Sequence, residues 1–273
     1  MKEKRSDVKE MVREGYGKIA RHSCSCCCGD ESGDINRKIG YTDEQLGGVP
    51  CEANLGLGCG NPTALASISP GEAVLDLGSG AGVDCFLAAS RVGPEGRVIG
   101  VDMTPAMIER ATRIAREHGF QNVEFRLGEI EQLPVEDGSV DRVISNCVIN
   151  LSPDKAQVFR EAFRVLQPGG SLFISDLVLV GELPERVKHS AAAYVGCLSG
   201  AVRKEEYLRM IEEAGFSRVV VADEKLFPLD CLHDDETANV LLEDPTYSAE
   251  ETKEISDAVR SIMVTAWKPG PGE

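Results

Sequence analysis

The sequence predicts an α/β fold, doubly wound about a mostly parallel seven-stranded sheet, and three observations carry that reading. From Ala73 onward, apolar segments of strand length alternate with amphipathic segments of helix length, as in a parallel sheet covered by helices on both faces. The first strand runs into a glycine-rich turn, Asp76-Leu77-Gly78-Ser79-Gly80-Ala81-Gly82. Glycines there let backbone N–H groups approach a ligand that side chains would otherwise block. Asp102 then closes the second strand about twenty residues past the loop, where doubly wound folds set a carboxylate on ribose hydroxyls. Loop and carboxylate together predict an adenosine-containing cofactor.

The elements follow in order. Residues 1–22 carry a polar, amphipathic helix pattern, and 23–60 form loop with a short helix near Thr42–Leu46. AVLDLG is a strand, VDCFLAASRVG a helix and RVIGVDM a strand. TPAMIERATRIAREHG is a helix, followed by the strands VEFRLGEI and VDRVISNCVI. Thr104-Pro105 supplies an N-cap and a proline at the first helical position, and Gly119 and Gly169 stand where C-terminal caps belong. KAQVFREAFRVLQPGG is the next helix and SLFISDLVL the next strand. Residues 181–200 form an inserted helical segment, KEEYLRMIEEAGF a helix, and SRVVVAD and SIMVTAWK the last two strands. Residues 228–250 are an acidic surface loop. The expected organisation is an N-terminal helix and Cys-rich lid over 1–62, a cofactor-binding core over 63–180, and a substrate-covering segment with the closing strands over 181–273.

Composition narrows the function. A chain of 273 residues, 42% hydrophobic and 27% charged, buries one large core. The formal charge of −16 argues against nucleic acid, whose phosphates are bound through Lys and Arg. No apolar run is long enough to span a bilayer, and the N-terminus lacks the pattern of a signal peptide. Ten cysteines without a secretion signal point to a reducing cytoplasm.

A dinucleotide site wants G-x-G-x-x-G, but Val83 holds the third glycine position and Asp84 follows it. Asp76 before the loop would repel a pyrophosphate and attract a sulfonium cofactor carrying an ammonium group. This D-x-G-x-G pattern resembles the first motif of the S-adenosylmethionine-dependent methyltransferases.

Ligands of open α/β sheets sit beyond the carboxyl ends of the strands. Cys147, in Ser145-Asn146-Cys147-Val148-Ile149-Asn150, stands on that edge. Base-amine methyltransferases usually carry Asn/Asp-Pro-Pro-aromatic there, and its absence is a second argument against nucleic acid. Cys197 falls after the next strand, in the segment that commonly covers substrate, and Cys59 lies on the turn Gly56-Leu57-Gly58-Cys59-Gly60-Asn61-Pro62. These three can converge over one cofactor edge. Cys85 and Cys231 read as small buried apolar residues. The cluster Cys24, Cys26, Cys27 and Cys28 is too dense for a core and lacks a well-spaced second pair for zinc. It suits a soft-ion or redox role. His22, His118, His189 and His233 are scattered and read as surface residues.

The chain resembles the arsenite S-adenosylmethionine methyltransferases over nearly its whole length. The likeness runs through EGYGKIA and the cysteine cluster, ANLGLGCGNP, VLDLGSGAGVD, GVDMTPAMIERA, FRLGEIEQLPV, SNCVINLSPDK and CLSGA. It implies a class I, Rossmann-like methyltransferase whose closing strand is antiparallel. It places the arsenic-binding thiols on Cys59, Cys147 and Cys197, with one further cysteine within Cys24–Cys28. Trivalent arsenic prefers thiolates, and its lone pair attacks the sulfonium methyl in line, so the protein chiefly positions two reactants. Of the cofactor, Asp76, Gly78, Ser79 and Gly80 are expected around the methionine portion, Asp102 on the ribose and Met103 against the adenine. Glu129 and Ile130 are expected at the adenine edge, and Asn146 among the cofactor contacts. The implied substrate is arsenite or its glutathione conjugate, in a cytoplasmic detoxification. Methylation oxidises the arsenic, and the resemblance implies re-reduction by a thiol pair, Cys59 with one N-terminal cysteine, whose disulfide thioredoxin or glutathione clears. Two other readings share parts of this pattern: a carbon methyltransferase of the quinone-precursor type, and a non-catalytic soft-metal-binding protein.

Overall fold

The structure is a computed structural model that describes residues 2–22, 36–188, 194, 197–227 and 249–272. In chain order its main elements are α1 (Lys2–His22), β1 (Ala73–Leu77), α2 (Val83–Val92), β2 (Arg97–Asp102), α3 (Pro105–Glu117), β3 (Val123–Leu127) and β4 (Val140–Asn146). They continue with α4 (Lys155–Val165), β5 (Leu166–Leu179), α5 (Lys204–Glu213), β6 (Ser217–Leu226), α6 (Ala249–Ala258) and β7 (Val259–Trp267).

Seven strands form one sheet in the order β3-β2-β1-β4-β5-β7-β6. The first five run parallel, and β7 runs antiparallel to both β5 and β6. Every residue of β1 is buried, as expected of a strand covered on both faces. On one face α4 contributes Val158, Phe159, Ala162 and Val165, and α5 contributes Tyr207 and Ile211. Phe159 and Tyr207 meet edge to face, their ring centroids 5.3 Å apart. On the other face, Cys85, Ala88, Ala89 and Val92 of α2 pack on Val74 and Val98. Among the described residues no helix is long and apolar enough to cross a membrane.

From β1 the chain proceeds outward to β2 and β3, then returns to place β4 on the other side of β1. The crevice at the carboxyl ends of β1 and β4 is therefore the topological switch point of the sheet, where such folds bind ligands. Gly78 leaves β1 there and Cys147 leaves β4. α1 lies across this edge: Tyr16, Ile19 and Ala20 pack with Met107 of α3, and Arg110 of α3 donates to the Ala20 carbonyl at 3.1 Å.

Most element boundaries agree with the pattern in the sequence, and the differences have local causes. The short helix is Asp43–Gly47, opened by a capping box in which the Thr42 side chain and Gln45 bond each other's backbone N–H. Thr104 does occupy the N-cap of α3 ahead of Pro105, but its side chain makes no cap bond. It turns to Asp102, which accepts from both the Thr104 amide and hydroxyl. Gly119 follows the cap residue His118 with φ +74°. Gly169 caps no helix: α4 ends at Val165, and Leu166 is already extended and paired with Val140. The Gly169 amide instead donates to the Lys268 carbonyl. Within 181–200 the structure describes a helical turn at Glu185–Lys188. Cys24, Cys26, Cys27, Cys28, His189, Cys231 and His233 lie outside the described residues.

Candidate active site

A cavity open to solvent occupies the switch point and is lined by Asp76, Gly78, Ser79, Gly80, Asp102 and Met103 among others. Gly78 and Gly80 hold φ angles of +66° and +51°. A Cβ on Gly78 would lie 2.3 Å from Cγ2 of Val148, so the loop can press against the β4 end only with glycine there. Asp102 fixes the other wall: one carboxylate oxygen accepts from the Gly80 amide at 3.0 Å, the other from the Thr104 amide at 2.8 Å.

Three aspartates face this space. Burial pushes Asp76 well above the ordinary carboxylate range, and the nearby charge of Asp84 pushes it further. Asp84, in the first turn of α2, is raised by burial to about 6, although hydrogen bonds from Tyr41 and Asn146 pull the other way. Burial also raises Asp102, against the amides of Thr104 and Gly80. Such a set disfavours its own ionisation until a cation neutralises it. Ser79 Oγ is buried on the same wall with no protein partner. A cationic ligand carrying hydrogen-bonding groups satisfies both conditions.

Of the cysteines, Cys147 lines this cavity, and Cys59 and Cys197 lie against it. Cys147 leaves β4 with φ +55°, its amide donating to the Ser175 carbonyl at 2.8 Å. Cys197 has φ +64°, and its Sγ donates to the Cys147 carbonyl at 3.0 Å. Among the described residues Arg218 alone joins them as a non-glycine residue at positive φ. Strain of this kind is sustained only where surrounding structure holds it. The Cys147 thiol contacts the thiols of both Cys197 and Cys59; these contacts, then burial, raise it well above the usual thiol range. Burial raises Cys59 as well.

The Cys59 turn is seated tightly. A Cβ on Gly60 would fall 2.0 Å from Ser175 Oγ, while Ser261 Oγ donates to the Cys59 carbonyl at 2.6 Å. Asn146 joins this turn to the carboxylates: its Oδ1 accepts from the Cys59 amide at 3.2 Å. Its Nδ2 donates to the Gly60 carbonyl and Tyr41 hydroxyl, both at 2.9 Å, and to Asp84 at 3.2 Å. The Tyr41 hydroxyl in turn donates to Asp84 at 2.8 Å.

The structure thus gathers Asp76, Gly78, Ser79, Gly80, Asp102, Met103, Ile130, Asn146 and Cys147 around one cavity, with Cys59 and Cys197 against Cys147. Glu129 does not line it. Its carboxylate turns to Lys9 of α1 at 2.8 Å and Arg13 at 3.6 Å, while Glu131, which does line it, lies 3.0 Å from Lys9. His118 lies 3.6 Å from Glu52, away from the cavity.

Sequence reasoning overlooked Tyr41, Lys9, Glu131 and Asp176. Asp176, within β5, brings a carboxylate oxygen within 4.8 Å of the Cys59 and Cys147 sulfurs. Burial raises it to about 6, while bonds from Tyr207, Leu177 and Asn150 oppose the rise. Its one available signal was a carboxylate inside the otherwise apolar run SLFISDLVL.

Comparison with known proteins adds four findings. Residues 68–215 match a family model described as a methyltransferase domain. The arsenite methyltransferase of Halobacterium salinarum is 48% identical over 79% of this chain and 59% of its own length. That of Aquipseudomonas alcaligenes is 38% identical over 76% of this chain and 62% of its own. The chain therefore spans about three fifths of these curated relatives. An arsenic(III) S-adenosylmethionine methyltransferase from Chlamydomonas reinhardtii, known from its crystal structure, superposes with a TM-score of 0.65 at 34% identity. That alignment covers 88% of this chain and 75% of the other.

Proposed function

This chain belongs to the arsenite methyltransferase family, and from that premise we propose that it methylates trivalent arsenic with S-adenosylmethionine. The observation that carries the reading is the contact of Cys147 with both Cys59 and Cys197 beside a cavity walled by carboxylates. The cofactor supplies an electrophilic sulfonium methyl group. Asp76 and Asp84 offer negative charge to its ammonium and sulfonium, the Gly78–Gly80 loop and Ser79 offer backbone and hydroxyl contacts, and Asp102 accepts from the ribose. Met103 and Ile130 supply apolar surface to the adenine.

Cys59, Cys147 and Cys197 hold the arsenic. Burial and the thiol contacts hold Cys59 and Cys147 toward their protonated forms, and this suits the exchange. Each thiol displaces one hydroxide of arsenous acid, its proton leaves with that hydroxide as water, and no net proton is released. The three sulfurs then keep the arsenic in place, and the enzyme's contribution is orientation.

Methyl transfer takes two electrons from arsenic in the formal count. Two thiols return them by closing a disulfide, Cys59 with one of Cys24, Cys26, Cys27 and Cys28, and thioredoxin or glutathione reopens it. The need for reduced thiols fits a cytoplasmic, detoxifying role. The test is incubation with arsenite, labelled S-adenosylmethionine and thiol, followed by separation of the arsenicals. Label in methylated arsenic supports the reading, and its absence with active cofactor binding overturns it.

A further inference from the structure

Asp176 has a donor position to spare. Its Oδ1 accepts from Asn150 Nδ2 at 2.8 Å and from the Leu177 amide at 2.9 Å, which uses both lone pairs of that oxygen. Its Oδ2 accepts from the Tyr207 hydroxyl at 2.8 Å, leaving one lone pair. The carboxylate is fully buried, and a carboxylate oxygen and the sulfurs of Cys59 and Cys147 all lie within 4.8 Å of one another.

Two thiols and a carboxylate suit trivalent arsenic poorly, because arsenic takes three soft donors in a pyramid and has no use for the hard oxygen. They suit a thiophilic divalent cation. Zinc-like ions bind thiolate at about 2.3 Å and carboxylate at about 2.0–2.2 Å in tetrahedral geometry, often with water in the fourth place. Those lengths set neighbouring donors about 3.7 Å apart, so the present trio need close by no more than about 1 Å. Tyr207 and Asn150 hold the carboxylate from behind, as partners of metal ligands generally do.

We propose that Cys59, Cys147 and Asp176 form a binding site for a divalent cation of the zinc and cadmium class. Cation and arsenic share Cys59 and Cys147 but differ in the third donor, Asp176 for the cation and Cys197 for arsenic. The two occupants therefore exclude each other. The cation site stands on the geometry alone, whereas the competition rests on the function proposed above.

The experiment is cadmium-113 NMR of the full chain, which separates sites by donor set and so distinguishes this one from any cadmium held by Cys24–Cys28. One resonance characteristic of two sulfurs and two oxygens is expected. Asp176→Asn, which keeps the shape of the side chain, removes that resonance or weakens its cadmium affinity at least about tenfold, while arsenite binding persists. Cys197→Ser leaves the resonance in place and impairs arsenite binding. Retention of the resonance with unchanged affinity in Asp176→Asn overturns the proposal. Should that variant fail to fold, the wild-type spectrum decides, because absence of a two-sulfur, two-oxygen signal overturns it equally. Arsenite added to the wild type extinguishes the resonance; if cadmium and arsenite bind together without displacement, shared occupancy is wrong.

Discussion

Asn146 accepts a hydrogen bond from the Cys59 amide at 3.2 Å and donates to Asp84 at 3.2 Å through the other end of the same side chain. The turn that carries a thiol and the cavity wall proposed to face the cofactor thus share one link. Asn146→Ala would leave the Cys59 amide without its partner and take a donor from Asp84. Unsatisfied buried groups cost about 1–3 kcal/mol, so thermal stability should fall. S-adenosylmethionine affinity and arsenite binding should weaken together, as calorimetry and thiol protection would show. Loss of one with the other intact would break the link.

Cofactor binding should depend on pH through Asp84. Burial raises its folded pKa to about 6, so the folded protein holds a proton that the unfolded chain has already lost. The sign follows: this group is neutral to stability below its ordinary carboxylate pKa and opposes folding as pH rises through about 6. A cationic ligand favours the ionised form. Affinity for S-adenosylmethionine should therefore rise about tenfold from pH 5 to pH 7 and then level off, with proton release measurable at pH 5.5 by calorimetry in two buffers. A flat affinity across that range would remove Asp84 from the ligand's field.

Asp102→Ala deletes the acceptor of the Gly80 and Thr104 amides as well as the proposed ribose contact. Bonds to charged groups are worth roughly 1.5–3 kcal/mol, so cofactor affinity should drop by about tenfold to a hundredfold. Titration calorimetry showing wild-type affinity would place the ribose elsewhere.

Gly60→Ala tests the seat of Cys59. The added methyl would meet Ser175 Oγ at 2.0 Å and Ser175 Cβ at 3.0 Å, and overpacking of this kind costs typically about 1–3 kcal/mol. Arsenite capture should be impaired more than cofactor binding. Ser175→Gly in the same chain removes both colliding atoms, and recovery of arsenite capture in the double variant would confirm a purely steric effect. Failure of the double variant to recover would show that Gly60 matters for another reason.

What the sequence made legible was local. Asp76, the Gly78–Gly80 turn and Asp102 follow from spacing along two consecutive strands, and Cys147 from its position at a strand end. What it concealed depends on chain segments far apart. Asp84 is visible in the loop motif, but its partner Tyr41 lies 43 residues upstream. Glu129 sits after β3 as the pattern requires, yet its carboxylate is taken by Lys9 of α1, 120 residues away, and does not line the cavity. Asp176 interrupts an apolar strand, and only the packing of α5 supplies the Tyr207 hydroxyl that supports it. Gly169 looked like a helix cap because nothing in the local pattern shows that α4 passes directly into β5.

The thiols themselves give the sharpest test. Cys147→Ser exchanges a soft donor for a hard hydroxyl of similar size while leaving the backbone at φ +55° and its amide bond to Ser175. Cofactor affinity should stay within about twofold, since the thiol makes none of the contacts assigned to Asp76, Ser79 or Asp102, whereas methylation of every trivalent arsenical should collapse. Cys197→Ser should behave alike, because its hydroxyl can still donate to the Cys147 carbonyl. Methylarsenite has carbon in one of its three positions and needs two sulfurs, so Cys59→Ser should abolish turnover of arsenite and spare binding of methylarsenite by Cys147 and Cys197. Product analysis with both substrates separates the cases. Near wild-type turnover of arsenite in either Cys147→Ser or Cys197→Ser would reduce that cysteine to a packing residue and end the three-thiol site.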